Sequence, residues 1–203
     1  MKKILLVIGL LLVAFLVYWF KFRKNDSPTV NEPKQEALKV RKHSDAFYQK
    51  IDTTLGAYFA LQYAFVEADT AKAKATTVQL KALADSINLD ELKKDTAGIF
   101  EAATQQLKDV IGNADALLAQ NDITEMRREF KNMGENIYPL LKTIHYEGKT
   151  LYWQNCPMAF DEMGANWLSS TSTIVNPYFG KKDAKYGAGM LTCGEVMDSI
   201  KAQ

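Results

Sequence analysis

The stretch ITEMRREFKNMGENIYPLLKTI, residues 123–144, decides the fold class of this chain. Its apolar residues recur at alternating steps of three and four, the spacing of one buried face of an amphipathic helix. These residues are Ile123, Met126, Phe130, Met133, Ile137, Leu140 and Ile144. Asn121-Asp122 precedes the stretch and supplies a candidate N-cap. Pro139 lies inside it, where a proline is expected to kink or end a helix.

Three earlier segments show the same helical spacing, at residues 47–65, 70–87 and 100–117. Asp69-Thr70 separates the first two, and the early turns of the second are rich in Ala and Thr, which weakens its pattern. Short breaks between long amphipathic helices predict antiparallel neighbours. We therefore predict a mainly α fold, with an up-down four-helix bundle over residues 38–144.

The helical spacing is lost after His145, where aromatic residues and glycines accumulate. This pattern predicts a loop-rich cap over residues 145–203, rich in Cys, Met and aromatic side chains and packed on the bundle. One short strand is expected at residues 149–154. The segment is too small and too rich in glycine to fold alone, so the bundle must support it.

The amino-terminal region contains the apolar run ILLVIGLLLVAFLVYWF, residues 4–20, with lysines on both sides. Its 17 residues would span ~26 Å as a helix, the lower limit for crossing a bilayer core. The run ends in bulky aromatic residues rather than the small residues of a cleavage site. We therefore expect an uncleaved signal anchor, a transmembrane helix within residues 1–24, followed by a polar tether at 25–37. Cleavage as a secretory signal peptide is the alternative.

Charge and motifs exclude several classes of function. The 203-residue chain has 25 basic and 24 acidic residues, but five of the basic residues lie in the first 25 positions. The remainder has 20 basic and 24 acidic residues, a formal charge of −4, which argues against nucleic-acid binding. A Gly-rich phosphate loop, a haem-attachment motif and a G-x-S-x-G nucleophile motif are all missing. We expect no enzyme activity and no catalytic residue.

Sulfur-containing residues are concentrated in the cap. Six of the nine Cys and Met residues lie between Cys156 and Met197. Thiolate and thioether ligands select Cu(I), and by the same softness Ag(I), whereas zinc does not usually take Met ligands. The candidate metal ligands are Cys156, Met158, Met190 and Cys193, with His145 and Met163 as additional candidates. Two other interpretations remain open: a Cys156–Cys193 disulfide in an oxidising compartment, and buried free thiols.

Four blocks of the cap occur in order and carry a resemblance to a known family. They are CPMAF at 156–160, GANWLS at 164–169, NPYFG at 176–180 and MLTCGEV at 190–196. Together with residues 58–61 and 64–69 they resemble the domain-of-unknown-function family 3347, over roughly residues 44–198. That family contains exported bacterial proteins and domains appended to periplasmic adaptors of copper/silver efflux systems.

The resemblance implies that the body is exported, so that an inner-membrane anchor would hold a periplasmic domain in the cell envelope. It also implies heavy-metal handling. We therefore expect a soft-metal (Cu(I)/Ag(I)) binding protein that acts as a copper buffer or as an accessory to heavy-metal efflux components. The alternative is a disulfide-stapled envelope interaction module without metal. The spacer at 181–189 is longer than in many relatives, which leaves open how closely the two halves of the site approach.

Overall fold

The computed structural model describes residues 15–19, 42–96 and 98–201. The chain divides into two units, Met1–Ala37 and Leu38–Gln203, and every element named below belongs to the second. Four long helices dominate, which confirms the mainly helical class. They are α1 (Asp45–Val66), α2 (Thr70–Asp85), α3 (Ile99–Ala119) and α4 (Ile123–Thr143), with a 3₁₀ helix at Asp90–Lys94 between α2 and α3.

The predicted anchor and tether fall almost wholly outside the described residues, of which only 15–19 belong to the apolar run, and these are helical. In the described part of the chain, no helix combines the length and the hydropathy needed to cross a membrane.

Side-chain caps begin the helices where the sequence breaks predict them. Asp69 accepts a hydrogen bond from the Lys72 N–H at the start of α2, over 2.9 Å. Asp122 accepts from the N–H groups of Thr124 and Glu125 at the start of α4, over 2.8 and 3.1 Å. These bonds satisfy backbone donors that a helix leaves without partners in its first turn. Both predicted helix starts are therefore confirmed.

Pro139 lies within α4, and the helix continues beyond it to Thr143. Of the two expected effects, a kink or an end, the end at this proline is wrong, and the kink stays a prediction. The residues that follow it, Leu140, Leu141 and Ile144, are all buried. Burying these side chains outweighs the one backbone hydrogen bond that a proline removes.

Contacts run in opposite sequence order between α2 and α3 and between α1 and α4, so these two pairs of helices are antiparallel. The contacts are Lys74–Asn121 (3.2 Å) and Lys81–Asp115 (3.4 Å) between α2 and α3, Asn113–Asn136 (3.0 Å) between α3 and α4, and Tyr48–His145 (3.3 Å) with Phe65–Phe130 (ring centroids 5.3 Å) between α1 and the α4 region. These pairs agree with the alternation expected from the short connections.

The cap is more regular than expected, because it contains a three-stranded antiparallel sheet. Its strands are β1 (Leu151–Cys156), β2 (Ala165–Ser169) and β3 (Glu195–Ile200), in the order β2-β1-β3. β1 lies two residues later than the predicted strand, and β2 packs against α4. Residues 170–194 connect β2 to β3 without a further helix or named strand, so the expectation of a loop-rich segment holds there and in the residues just before β1.

The hydroxyl of Tyr58 joins the helices to this sheet. Tyr58 is fully buried in α1, and its oxygen accepts the N–H of Leu168 in β2 over 3.2 Å. Tyr58→Phe leaves that N–H without its partner, so we expect the free energy of unfolding to fall by about 1–3 kcal/mol. Urea denaturation of the full chain would measure it. Tyr63→Phe is the control, since Tyr63 lies in the same helix but is half exposed; equal effects in the two variants would contradict the prediction.

Candidate functional site

The fold brings the two cysteines into contact. Cys156 ends β1 and is fully buried, and Cys193, two residues before β3, is partly buried. The side chain of Cys193 shares a hydrogen bond with that of Cys156, and its sulfur accepts the backbone N–H of Met158. Both cysteines are free. Two thiols separated by 36 residues in sequence therefore form one dithiol.

Strand pairing explains why the cysteines meet. Cys156 pairs with Ala165 of β2, and on the other side of β1 Asn155 pairs with Glu195 of β3. Since β1 and β3 are antiparallel, the residues just before Glu195 run alongside the end of β1. Cys193 is therefore carried to Cys156 by the register of the sheet.

Two further contacts hold the backbone at Cys193. The side-chain amide of Asn176 donates to the Cys193 carbonyl over 2.8 Å. Gly194 follows with φ +139°, a conformation that side chains rarely adopt, and a Cβ there would lie 2.6 Å from the Asn155 carbonyl oxygen. The glycine lets the chain cross β1 at this close distance. These two contacts fix the position of the backbone that carries the Cys193 side chain.

The environment of Cys193 favours its protonated form. Burial, followed by the hydrogen bond with Cys156 and the charge of that side chain, raises the pKa of Cys193 to about 11, although the Met158 N–H acts in the opposite direction. A catalytic cysteine needs a lowered pKa, because the thiolate is the nucleophile. A soft metal, in contrast, displaces thiol protons when it binds. The arrangement is therefore better suited to a metal or a disulfide than to nucleophilic catalysis.

The predicted methionine ligands are placed unequally around Cys193. The backbone N–H of Met158 donates to the Cys193 sulfur, and Met158 is 39% exposed. Met190 accepts the Cys193 N–H through its carbonyl over 3.0 Å and is partly buried. Met163, by contrast, is 69% exposed on the turn before β2. The structure thus brings the backbones of Met158 and Met190 to the dithiol, and it turns Met163 largely to solvent.

His145 lies away from the cysteines. It is exposed at the end of α4, with φ 50°, and its carbonyl accepts the Tyr48 hydroxyl. The part of α4 that meets the sheet near Cys156 is Gly134, beside Asn166. From Gly134 to His145 the chain advances 11 residues, which corresponds to ~16 Å along the helix axis. His145 is therefore too far along the axis of α4 to reach the cysteines. In the described residues, no group of three or more His, Cys, Asp and Glu side chains could hold a metal ion.

A left-handed turn beside the dithiol was not predicted from the sequence. Phe160, Asp161 and Glu162 follow Met158 with φ of 53°, 57° and 67°. Each non-glycine residue in this region is strained by roughly 1–2 kcal/mol. The Phe160 ring is held against Tyr178 (5.3 Å) and below the Arg128 guanidinium (4.7 Å). Contacts distant in sequence impose this turn, and such contacts leave no local sequence signal.

An ion pair fastens β3 to α4. Asp198 accepts hydrogen bonds from Lys142 Nζ, over 2.6 Å, and from the Tyr138 hydroxyl. These bonds lower the pKa of Asp198 from its ordinary 3.8 to about 2, with Lys142 the largest cause.

The Asp198 ion pair gives a pH-dependent prediction. Because the folded pKa is lowered, its stabilisation is present above about pH 4 and is lost as the pH falls towards 2. We expect Asp198→Asn to lower the free energy of unfolding at pH 7 by less than about 1 kcal/mol, since the pair is half exposed. Urea denaturation at pH 7, 4 and 2 should show that the difference in unfolding free energy between Asp198→Asn and wild type becomes smaller as the pH falls from 4 to 2. A constant difference across this range would contradict the assignment.

Residues 54–149 match the family described as "Protein of unknown function (DUF3347)". The match confirms the resemblance for the segment that runs from within α1 to just beyond α4. It ends before β1, so the cysteine-containing blocks lie outside it. Searches of curated proteins and of solved structures gave no match.

Proposed function

We propose that this chain, which carries the DUF3347 match over residues 54–149, binds Cu(I) or Ag(I) through its cysteine pair. The observation that supports it is the contact between the Cys156 and Cys193 side chains, with Met158 against Cys193. Cys156 and Cys193 would be the principal ligands. Met158 and Met190 would add thioether sulfur.

The chemistry of this ligand set fits a monovalent soft cation. Two thiolates with one or two thioethers form a low-coordinate sulfur site, which Cu(I) and Ag(I) prefer over harder ions. Carboxylates on the surface are hard ligands and would not compete for the metal. Since the pKa of Cys193 is raised to about 11, metal binding must release protons. We therefore expect the apparent affinity to increase as the pH rises.

The wider setting of the proposal comes from the sequence. The apolar run at residues 4–20 would anchor the chain in the inner membrane, and the family resemblance favours an exported, periplasmic body. The four antiparallel helices would act as an up-down bundle that supports the cap. In this setting the protein would buffer copper or pass it to heavy-metal efflux components.

The same contact favours a second candidate function. Cys156 and Cys193 could form a permanent disulfide that closes a loop of roughly 37 residues, worth ~3–4 kcal/mol in the chain-entropy model. The full burial of Cys156 is compatible with a structural staple. The cap would then serve as an interaction surface in the envelope without metal.

A Cu(I) titration tests the first candidate. The full chain, purified in detergent and reduced, would be titrated anaerobically against a chromogenic Cu(I) chelator. We expect one tight equivalent that is lost in Cys156→Ser and in Cys193→Ser, and weakened in Met158→Leu. Met197→Leu is the matched control, because it makes the same change at an exposed residue of β3. Unchanged binding in a double Cys-to-Ser variant would rule out the site.

A thiol count separates the two candidates. Full-length protein isolated from the cell envelope in detergent, without reductant, would be unfolded in denaturant and treated with a thiol reagent. Two reactive thiols favour the metal site. No reactive thiols, together with no Cu(I) binding after reduction, favours the staple and overturns the metal proposal.

A further inference from the structure

A cavity of about 390 Å³ opens next to the dithiol, and the metal proposal makes no use of it. Met158 lies on its wall, but most of the lining comes from α4, from the left-handed turn and from residues 178–186. Its volume falls within the range of small-molecule sites. The aromatic residues of the lining include Phe160, Phe179 and Tyr186.

Arg127 gives this cavity its chemical character. It lines the cavity although only 6% of the residue is exposed, and one amino group donates to the carbonyls of Phe65 (2.9 Å) and Phe179 (3.3 Å). Among the described residues, no carboxylate lies within ion-pair distance of it, although the charges of Asp183 and Asp122 act on it from farther away, and its Nε–H has no hydrogen-bond partner. Burial lowers the pKa of Arg127 to about 10, so it stays charged at neutral pH. A buried cation without a carboxylate in direct contact is unfavourable, and a ligand that supplies one would stabilise it.

The other charges of the lining lie at the rim, where three carboxylates face two cations and leave one negative charge in excess. Asp161 and Glu162 are exposed on the left-handed turn, and Asp183 lies nearby. Lys185 interacts with the charges of Asp161 and Asp183. These three rim carboxylates would oppose a dianion more strongly than a monoanion.

The remaining cation of the lining, Arg128, also belongs to the rim. Its guanidinium pairs with Glu125 over 3.2 Å and lies over the Phe160 ring. It is therefore already partnered, unlike Arg127, and would contribute less to a ligand.

The left-handed turn borders the same cavity. Three successive non-glycine residues with positive φ form one wall of the cavity. Strain of this kind persists only where the surrounding structure fixes it, and it clusters at ligand sites. We infer that the cavity binds a small organic monocarboxylate, with the carboxylate at Arg127 and an apolar body against Phe160, Phe179 and Tyr186.

Calorimetric titration of the full chain in detergent tests this inference with three related probes. They are 3-phenylpropionate, its neutral amide 3-phenylpropionamide, and phenyl phosphate as a dianion. We expect 3-phenylpropionate to bind at least about tenfold more tightly than either of the others. A difference of this size corresponds to the free energy of one hydrogen bond to a charged group. Arg127→Met should weaken the carboxylate about tenfold and leave the weaker binding of the amide unchanged.

Further variants keep the test decisive if Arg127→Met fails to fold. A double Arg128→Gln, Lys185→Gln variant should weaken the carboxylate by a few-fold. Lys131→Gln, on the same helix but outside the cavity lining, should bind as wild type. Cys156→Ser should also bind as wild type, which separates this site from the metal proposal. Failure of 3-phenylpropionate to bind up to about 10 mM, or equal binding of the amide or the phosphate, would overturn the inference.

Discussion

Gly194→Ala is expected to lower the free energy of unfolding by about 2–5 kcal/mol and to separate Cys193 from Cys156. Gly194 has φ +139°, and an added Cβ would lie 2.6 Å from the Asn155 carbonyl oxygen and 3.0 Å from the Trp167 ring. Asn155 belongs to β1 and Trp167 is fully buried, so neither can move without disturbing the sheet. Urea denaturation followed by circular dichroism would measure the loss.

Gly112→Ala is the matched control for this prediction. Gly112 lies within α3, and nothing lies within 4 Å of the Cβ that alanine would add. Alanine is the better helix former, so this variant should be more stable than wild type by roughly 0.5–1 kcal/mol. If Gly194→Ala were as stable as Gly112→Ala, β1 and β3 would not approach as closely as described. Close packing of Gly194 against β1 would then not be what fixes the position of Cys193.

The helices were predictable because local sequence determines them. The burial spacing of residues 123–144 depends only on the helical repeat, and Asp69 and Asp122 act on backbone groups two or three residues away. Such short-range signals are present in the sequence itself. Pro139 shows the limit of a local rule, because tertiary burial of the following residues decides whether the helix continues.

The sheet was missed because its pairing is long-range. β1 and β3 are separated by about 40 residues of chain, and most of β3 is exposed, so no alternation of apolar and polar residues marks it. The sequence identified Cys156 and Cys193 as chemically interesting by their residue type. Their contact depends on strand register, which residue spacing does not encode.

The burial of Arg127 and the left-handed turn could not be predicted from the local sequence either, because both depend on contacts that are distant in sequence. Arg127 directly follows the core residue Met126, where a charged residue is expected to face solvent. It is buried because the Phe65 carbonyl at the end of α1 and the Phe179 carbonyl both accept its hydrogen bonds. Positive φ is normally signalled by glycine, whereas the turn at 160–162 contains none.

Phe130→Ala is the second variant for which we expect a large loss, about 3–5 kcal/mol in the free energy of unfolding. Phe130 is fully buried in α4, and its ring lies 4.9 Å from that of Tyr58, 5.3 Å from Phe65 and 6.1 Å from Tyr178. The residue therefore supports α1, α4 and the segment after β2 together. Chemical denaturation would measure the loss.

The same variant should also loosen the candidate site, because two neighbours of Phe130 hold the sheet. Tyr58 accepts the N–H of Leu168, and Tyr178 donates to the carbonyl of Asn166. Leu168 and Asn166 both belong to β2, the strand whose Ala165 pairs with Cys156. We expect the reduced thiols of Phe130→Ala to react faster with a thiol reagent under native conditions. Phe100→Ala makes the same change at a partly buried residue of α3, and it should cost less stability and leave the thiol reaction unchanged. Equal thiol rates in wild type and Phe130→Ala would mean that the sheet holds the cysteines together without support from the helical core.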